Sequence, residues 1–346
     1  MSGNQAGRPL RSLLVTGGAG FIGSAFIRFL LGEAGFQGRC INLDLLTYAG
    51  NLANLREVAG DSRYQFIQGD VCDGELLERL CVDYQVDTIV HFAAESHVDR
   101  SISDPGAFLH TNIGGTYQLL ELMRRHPAVH LHQVSTDEVY GTLDEDEAPF
   151  HEESPYRPRS PYAASKAAAD HLVRAYGNTY GLSYCLSHCG NNYGPYQFPE
   201  KLIPLFICRC LEGKPMPLYG GGQQVRDWLH VDDHVRAIWL LLSHGRSQES
   251  YAIGGGEQKR NWEVASAIIG QIALLTRRDR AELEKLLTFV EDRPGHDYRY
   301  AIDGRKMEQE LGWRPSHPFE EGLKATISWY LEAEEWLEST PLSEKR

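Results

Sequence analysis

Two side chains in the middle of the chain have the types and spacing of a base and its helper. Tyr162-Ala-Ala-Ser-Lys166 is a Tyr-x-x-x-Lys pair, and in a helix both side chains would lie on one face. An ammonium group near a phenol favours the phenolate, so Tyr162 is predicted to act as a base well below its ordinary pKa of about 10. Such a base can take a hydroxyl proton while hydride leaves the same carbon.

A pair of acids follows an apolar segment, Leu131–Ser135. The sequence continues Thr136-Asp137-Glu138 and then Val139-Tyr140-Gly141, which is consistent with a turn. In a continuing strand Asp137 and Glu138 would point to opposite faces, so both can reach one ligand only if the strand has ended. Two carboxyls at the carboxyl edge of a sheet could divide into one acid and one base. The alternative is a helix-capping Asp137 and a solvated Glu138.

A glycine-rich loop is the third candidate for chemistry. Residues 12–24 read SLLVTGGAGFIGS. Gly17, Gly20 and Gly23 would permit a tight turn, a close approach to a pyrophosphate and close packing of helix on strand, and the helix N-terminus favours negative charge. Asp44 could accept hydrogen bonds from both ribose hydroxyls and would repel a 2′-phosphate. The pattern predicts NAD rather than NADP; a structural turn beside a surface Asp44 is the alternative.

Short apolar runs alternate with helical patterns through the first half of the chain. This order predicts an α/β fold with a doubly wound parallel sheet of the Rossmann type. Asp70, after the third run, could meet an adenine or simply cap a helix. The predicted strands are Ser12–Thr16, Arg39–Asp44, Tyr64–Gln68, Thr88–Phe92 and Leu131–Ser135. The predicted helices are Gly20–Leu31, Gly74–Val82, Phe108–Arg125 and Tyr162–Tyr180.

The second half is less regular and richer in Pro and Gly. Helices are predicted at Asn261–Leu275 and Arg280–Leu287, and the charged stretch Thr276–Lys285 is interpreted as a surface helix. We expect residues 1–190 to form an NAD-binding domain. Residues 191–346 are expected to form mainly a smaller substrate domain. A return of part of this stretch to the first domain stays open.

Composition narrows the class of protein. The net charge of −13 over 346 residues argues against a nucleic-acid partner. No apolar run approaches the ~18 residues that span a bilayer, so no membrane partner is expected. The seven cysteines include no CxxC pair, which predicts reduced thiols, a cytoplasmic protein and no metal site. They are Cys40, Cys72, Cys81, Cys185, Cys189, Cys208 and Cys210.

Together these segments resemble the extended short-chain dehydrogenase/reductase family, and within it the nucleotide-sugar 4,6-dehydratases, those acting on dTDP-glucose most of all. The resemblance runs from about Leu13 to Trp336. The segments that carry it are LVTGGAGFIGS, LTYAGNL, HFAAESHVDRSI, VSTDEVYG, SPYAASKAAAD, NNYGPYQFPEKLIPL and DRPGHDYRYAID. VSTDEVYG is the most specific, because related 4-epimerases lack the Asp-Glu pair.

The resemblance implies a lyase that makes a 4-keto-6-deoxy sugar nucleotide in deoxysugar biosynthesis. Tyr162, helped by Lys166 and Thr136, would take the C4-hydroxyl proton of glucose as hydride passes to NAD⁺. Glu138 would remove the C5 proton, Asp137 would protonate the departing C6 hydroxyl, and hydride would return to C6.

The resemblance also implies the binding residues. Arg226 and Arg293 suit a diphosphate in particular, because a guanidinium fork matches phosphate oxygens. Cofactor binding is implied for Gly17, Gly20, Phe21, Ile22, Gly23, Asp44, Asp70, Val71, Ala93, Ala94, Tyr162 and Lys166. Substrate binding is implied for His97, Thr136, Asn191, Lys201, Leu202, Pro217, Tyr219, Arg226, Asn261, Arg293, His296 and Tyr300.

Two segments depart from the family pattern. Where the family typically has Thr-Arg-Cys-Ser, this chain has Ser187-His188-Cys189-Gly190, and for Tyr-Gly-Asp-Gly it has Tyr219-Gly220-Gly221-Gly222. Both departures concern the predicted nucleotide pocket. A dehydratase of a UDP-, CDP- or GDP-hexose therefore stays open, as do, further off, a 4-epimerase and a non-catalytic NAD-binding protein.

The family is usually dimeric, and a homodimer is expected here through the helices at Phe108–Arg125 and Tyr162–Tyr180. Their apolar residues are too many for one stripe, which fits burial on two sides. Packing on the sheet alone is the alternative. These residues are Leu119, Leu120, Leu122, Met123, Ala168, Ala169, Leu172 and Val173.

Overall fold

The architecture is built on one parallel sheet whose strands are buried on both faces. The computed structural model describes residue 8 and residues 10–340; the other residues of the two predicted domains lie outside this part. Seven strands run in the order β10-β6-β5-β4-β1-β2-β3, all parallel. This confirms the predicted doubly wound Rossmann-type fold. The strands of this sheet are β1 Ser12–Thr16, β2 Arg39–Asp44, β3 Tyr64–Gln68, β4 Thr88–His91, β5 His130–Thr136, β6 Ser183–Cys189 and β10 Glu249–Ile253.

Helices cover the two faces of the sheet. Each face has its own cluster of buried apolar side chains, and every residue of β1 and β5 is buried, as expected for central parallel strands. Helices in the first half are α1 Phe21–Gly32, α2 Gly74–Tyr84, α3 Val98–Ser103, α4 Pro105–Phe108, α5 Thr116–Arg125 and α6 Pro161–Tyr180.

The second half builds two small sheets beside the large one and then returns to it. β7 Asn191–Tyr193, β9 Val225–His230 and β11 Gln258–Arg260 form one small sheet; β8 Met216–Tyr219 pairs with β12 Leu287–Val290. Between them α8 packs on α1, and β10 extends the large sheet. The later helices are α7 Leu202–Glu212, α8 Val231–His244, α9 Asn261–Thr276, α10 Arg280–Glu284, α11 Arg305–Leu311, α12 Phe319–Glu332 and α13 Glu334–Ser339.

Three predicted helices differ from the structure. The segment predicted as one helix over Phe108–Arg125 contains a π-helical stretch, Leu109–Gly115, before α5. The predicted surface helix Thr276–Lys285 is helical only over Arg280–Glu284, because Arg277 takes a left-handed φ of 57° that ends α9. The predicted end of the last helix at Leu287 is also wrong, since Leu287 begins β12.

The apolar residues expected to serve a dimer are mostly used inside the protomer. Leu119, Leu120, Leu122 and Met123 are at most 1% exposed and pack in the core beneath the sheet. Ala169 and Val173 are fully buried as well, whereas Ala168 and Leu172 are half-buried. The sheet face already covers most of these side chains, so their number gives no support for burial against a second protomer. The homodimer itself stays a prediction.

Candidate active site

The Asp-Glu pair lies where the sheet ends. β5 stops at Thr136, and a 3₁₀ turn over Asp137–Tyr140 begins at the next residue. Thr136 caps this turn, since its Oγ1 accepts from the backbone N–H of Glu138 at 3.3 Å and donates to Asp137 Oδ1 at 3.2 Å. The turn removes the alternation of a strand. Asp137 and Glu138 can therefore serve one ligand at the carboxyl edge of the sheet.

The two carboxyls differ in their electrostatic surroundings. Burial, the charge of Glu138 and the charge of Asp227 raise the pKa of Asp137 well above its usual range. Burial also raises the pKa of Glu138, but Lys201, Arg226 and Arg293 act in the opposite direction. Arg226 also acts to lower the pKa of Asp137, but Lys201 and Arg293 are named only for Glu138. When two nearby carboxyls cannot both ionise, the one with fewer cations beside it keeps the proton. Asp137 is therefore suited to be the acid and Glu138 the base.

Tyr162 and Lys166 lie on one buried face of α6. Ser160 caps the helix by accepting from Ala163 N, and Pro161 occupies its first turn. Tyr162 is 8% exposed and Lys166 is 5% exposed. Lys166 Nζ donates to the carbonyl of Val134 in β5 at 2.7 Å, which ties the lysine to the strand that carries Thr136.

The expected lowering of the Tyr162 pKa is not produced by the chain itself. Burial and the charge of Glu138 raise the pKa of Tyr162 well above its ordinary value, although a hydrogen bond with Thr136 lowers it. Burial also lowers the pKa of Lys166. The sequence prediction considered the lysine charge and left out desolvation, which is the larger effect at a fully buried site. A further positive charge is needed before the phenolate forms readily.

The glycine loop between β1 and α1 packs closely against neighbouring backbone and leads into a helix without a side-chain cap. Gly17 has φ +71°, and a Cβ on it would lie 2.5 Å from Ala93 N. A Cβ on Gly23 would lie 2.3 Å from the carbonyl oxygen of Gly17. Gly20 begins α1 without a side-chain cap, so the first N–H groups of the helix, those of Phe21 and Ile22 among them, remain available to an anion.

The predicted adenosine residues follow β2 and β3. Asp44 ends β2, and its two oxygens accept from Ala19 N at 2.9 Å and Leu46 N at 2.8 Å, which holds the carboxylate beside the glycine loop. Asp70 follows β3 and accepts from Cys72 N at 2.8 Å. Its interpretation as a helix cap is wrong, because Asp73 caps α2. Val71 beside it is buried. All three residues stay predictions as adenosine contacts.

Sequence reasoning missed Asn112, which fixes the segment after β4. Its side chain accepts from Glu95 N and donates to Glu95 O and to Ser165 Oγ, at 2.9, 3.0 and 2.8 Å. Asn112 thereby holds the chain that follows Ala93 and Ala94 against α6. The π-helical stretch that contains it was the missing signal, because such insertions interrupt the regular α-helical spacing and are frequent at functional sites.

The two predicted diphosphate arginines are already engaged in this structure. Arg226 is 5% exposed, and its guanidinium donates to the carbonyls of Val225, Asp297 and Tyr298. Arg293 Nη1 pairs with Asp99 Oδ1 at 3.0 Å. A phosphate at Arg293 would have to replace or join that carboxylate. Both residues stay predictions as diphosphate contacts.

Two predicted histidines have lowered pKa values, and both stand beside cations. Burial, with Lys201, lowers the pKa of His97 to about 4, and burial, with Arg293 and Arg226, lowers that of His296 to about 4. Neutral imidazoles can accept or donate hydrogen bonds to a sugar nucleotide. Lys201 Nζ donates to the carbonyl of Ser96 at 2.7 Å, which places its ammonium near the same segment.

The other predicted substrate residues lie on the two small sheets and the helices after them. Asn191 begins β7, Leu202 begins α7 and Asn261 begins α9; Pro217 and Tyr219 are on β8; Tyr300 lies under the Arg226 guanidinium, 4.4 Å from ring centroid to Cζ. Among the described residues, Asp137, Asn191 and Asn261 each hold a buried side-chain oxygen without a hydrogen-bond partner. Buried polar atoms are normally satisfied, so these three fit a site that awaits a polar ligand.

The two departures from the family pattern have physical explanations. A Cβ on Gly190 would lie 2.8 Å from the carbonyl oxygen of Asp227, so the backbones approach too closely for a serine without a shift. Gly220, Gly221 and Gly222 all have positive φ, and a Cβ on Gly221 would meet open space. His188 is fully buried against Asp170, with Nε2 and Oδ2 3.2 Å apart.

Comparison with known proteins decides the family. The family described as GDP-mannose 4,6 dehydratase matches residues 14–326. A curated dTDP-glucose 4,6-dehydratase of Xanthomonas campestris is 51% identical over 339 residues, which cover 94% of each chain. The chain belongs to the nucleotide-sugar 4,6-dehydratase family. The resemblance inferred from the motifs is thus confirmed.

Members of this family share the whole fold with the chain. The dTDP-glucose 4,6-dehydratase of Neisseria meningitidis is 49% identical over 94% of this chain and 95% of its own. The crystal structure of the dTDP-glucose 4,6-dehydratase DesIV from Streptomyces venezuelae, with NAD and dTDP bound, matches with a TM-score of 0.88 at 49% identity. It covers 94% of this chain and 98% of the other.

Proposed function

We propose that the protein is an NAD-dependent dTDP-glucose 4,6-dehydratase that forms dTDP-4-keto-6-deoxyglucose and water. The observation that carries the proposal is the Asp137–Glu138 turn opposite Tyr162, because an elimination needs one acid and one base and a 4-epimerase needs neither. Relatives of about 50% identity over 94% of the chain bear that activity in their names. No metal is required by this chemistry.

Tyr162 and Thr136 act at C4 of the glucose. Tyr162 accepts the proton of the C4 hydroxyl as the C4 hydrogen leaves as hydride, and Lys166 supplies a positive charge behind the phenol. NAD⁺, when bound in the Gly17–Gly23 loop, supplies the hydride acceptor at C4, the hydride donor at C6 and a positive ring that offsets the burial of Tyr162.

Asp137 and Glu138 act on the resulting ketone. A 4-ketone acidifies the C5 proton, which Glu138 removes, while protonated Asp137 donates to the leaving C6 hydroxyl. Water departs, and hydride returned at C6 with a proton at C5 gives the 4-keto-6-deoxy sugar. Because the cofactor is regenerated, it can stay bound through many turnovers.

The substrate is tested by incubating the purified protein separately with dTDP-glucose and with UDP-, CDP- and GDP-hexoses. The alkali-induced absorbance of the 4-keto-6-deoxy product is expected with dTDP-glucose alone. Product from another nucleotide sugar would leave the proposed mechanism unchanged. It would mean that the pocket around Gly190 and Gly221 accepts a different nucleotide base. No product from any of them, with NAD still bound, would contradict the enzyme assignment.

Residues 1–190 are proposed to hold the NAD, and the small sheets with α7 and α9 are proposed to hold the sugar nucleotide. The predicted substrate residues Pro217, Tyr219 and Asn261 support this division, since they lie on those elements. β10 crosses back to the large sheet, so the boundary near residue 190 separates functions better than it separates packing units.

A homodimer is proposed through the outer face of the π-helical stretch, α5 and α6. Leu109, Tyr117 and Tyr180 are 52%, 44% and 48% exposed there, and large exposed apolar side chains grouped on one face are typical of an interface. Sedimentation velocity at micromolar concentration is expected to show a dimer, and Tyr117→Glu is expected to give a monomer. A monomeric unmodified protein would contradict the proposal.

A cytoplasmic location is proposed from the seven free cysteines, six of them buried. Within residue 8 and residues 10–340, no helix combines the length and the apolar character of a membrane span.

A further inference from the structure

The catalytic face of α6 continues one turn beyond Lys166 to a buried acid that the mechanism above does not use. Tyr162, Lys166 and Asp170 are spaced four residues apart, so their side chains follow one another along one face. Asp170 is fully buried. A buried carboxylate is costly unless it is paired and hydrogen-bonded, so its surroundings should explain why it is there.

Three donors from three other segments converge on one oxygen of Asp170. Ser135 Oγ in β5 donates to Oδ2 at 2.6 Å, Tyr156 donates to it at 3.1 Å, and His188 Nε2 in β6 lies 3.2 Å away. Tyr156 Oη and His188 Nε2 are themselves 2.6 Å apart. The Ser135 contact matters most for the site, because the next residue along β5 is Thr136.

His188 completes this arrangement in a way that suits a carboxylate. The pKa of Asp170 is lowered despite its burial, by hydrogen bonding to His188, by the charges of His188 and Lys166 and by hydrogen bonding to Ser135. An ionised Asp170 only accepts, so Nε2 of His188 carries the proton in this contact.

Asp170 is the one carboxylate among the groups around Lys166. The groups facing the Lys166–Asp170 pair are His91 on β4, Tyr140 and Tyr156 after β5, His188 and Cys189 on β6, and Arg174 on α6. Burial raises the pKa of Cys189 to about 12, so its thiol stays neutral. Asp170 is therefore the charge that opposes the lowering of the Lys166 pKa by burial.

We propose that Asp170, held by Ser135, Tyr156 and His188, is a positioning residue that maintains the charge of Lys166 and fixes the end of β5 carrying Thr136. This inference deepens the proposed function and rests on it. It also gives the His188 departure a role. An arginine, which the family typically has there, would set a permanent cation against Asp170, whereas His188 meets the carboxylate through one ring nitrogen.

The test is the pH profile of kcat for dTDP-glucose in Asp170→Asn, with the unmodified protein measured in parallel. Asparagine keeps the volume and one accepting oxygen but removes the charge. Because the charge of Asp170 raises the pKa of Lys166, its removal lowers that pKa, and the alkaline limb is expected to move to lower pH. A merely structural role would reduce activity or stability without moving the limb.

Asp233→Asn is the matched control. Asp233 is also a buried carboxylate with a histidine partner, His317, and it accepts from Ser316, but it lies on α8 away from Lys166. Its variant is expected to lose stability and keep the alkaline limb. If Asp170→Asn does not fold, Ser135→Ala carries the test, with kcat expected to fall roughly tenfold at unchanged KM and NAD content.

An alkaline limb of Asp170→Asn at the position of the unmodified protein would overturn the inference, as would unchanged kcat in Ser135→Ala. The unmodified protein separates this failure from that of the proposed function. If it turns over dTDP-glucose and the limb does not move, only the role of Asp170 is lost. If it turns over no nucleotide sugar, the proposed function fails and the inference fails with it.

Discussion

Tyr162→Phe is expected to lower turnover of dTDP-glucose by about 10²–10⁴-fold, the range for loss of a general base. The change removes the oxygen that accepts the C4 proton and keeps the ring, which packs edge-on against Phe108 with centroids 6.3 Å apart. The variant is therefore blocked at the first chemical step, the oxidation at C4. Mixing enzyme and substrate rapidly should therefore produce no burst of reduced nicotinamide absorbance, while the bound NAD content stays that of the unmodified protein.

Tyr193→Phe is a suitable control for this prediction. Tyr193 is also buried, at 1% exposure, but its hydroxyl reaches only the carbonyl of Phe319, at 3.5 Å, in the core of the small domain. Its variant should turn over normally. Formation of reduced nicotinamide at the normal rate in Tyr162→Phe would remove Tyr162 from the C4 step.

Glu138→Gln is expected to lower turnover by about 10²–10⁴-fold as well, but at the second step. The amide cannot take the C5 proton, whereas Tyr162 and Lys166 still oxidise C4. Reduced nicotinamide should therefore accumulate on the enzyme, and the C5 hydrogen should no longer exchange with deuterated water. NAD binding is expected to be unchanged, because Glu138 belongs to the turn after β5 and not to the glycine loop.

The pH dependence follows from the raised pKa of Glu138. The group must be ionised to act, so activity is present above its pKa and is lost as the pH falls through it. Burial raises that pKa, which moves the acid limb of kcat above the ordinary carboxyl range. The carboxylate of Glu152 accepts from Ala252 N at 2.9 Å, and Glu152→Gln should leave the acid limb in place.

The Glu138→Gln variant also tests the assigned role directly. Normal turnover and normal exchange of the C5 hydrogen in this variant would show that Glu138 is not the base.

The large sheet was predictable because its strands are local in sequence and buried on both faces. Each of the five predicted strands, Ser12–Thr16 and the four that follow, is found within a residue or so of its predicted ends. Continuous apolar runs between helical patterns leave few other topologies. β10 was missed because Glu249–Ile253 is short and follows an irregular region. Its place beside β6 depends on a long-range return of the chain.

The irregular elements were less predictable. The π-helical stretch Leu109–Gly115 and the left-handed Arg277 both interrupt patterns that read as continuous helix. The period of apolar residues predicts which face of a helix is buried. It does not reveal where one extra residue enters the helix or where one residue takes a positive φ. The same limit misled the dimer argument, because an apolar residue does not show which neighbour buries it.

The sequence by itself determined the family, the order of the sheet's first five strands and the residues with chemical capability. These properties depend on residue type and short spacing, as in Gly17–Gly23, Tyr162–Lys166 and the Asp137–Glu138 pair. Only the tertiary structure decided how the surroundings of these groups bias their protonation. Burial raises the pKa values of Asp137 and Tyr162. Burial also raises the pKa of Glu138, but the charges of residues distant in sequence oppose this rise. Desolvation and long-range charge exist only once the chain has folded.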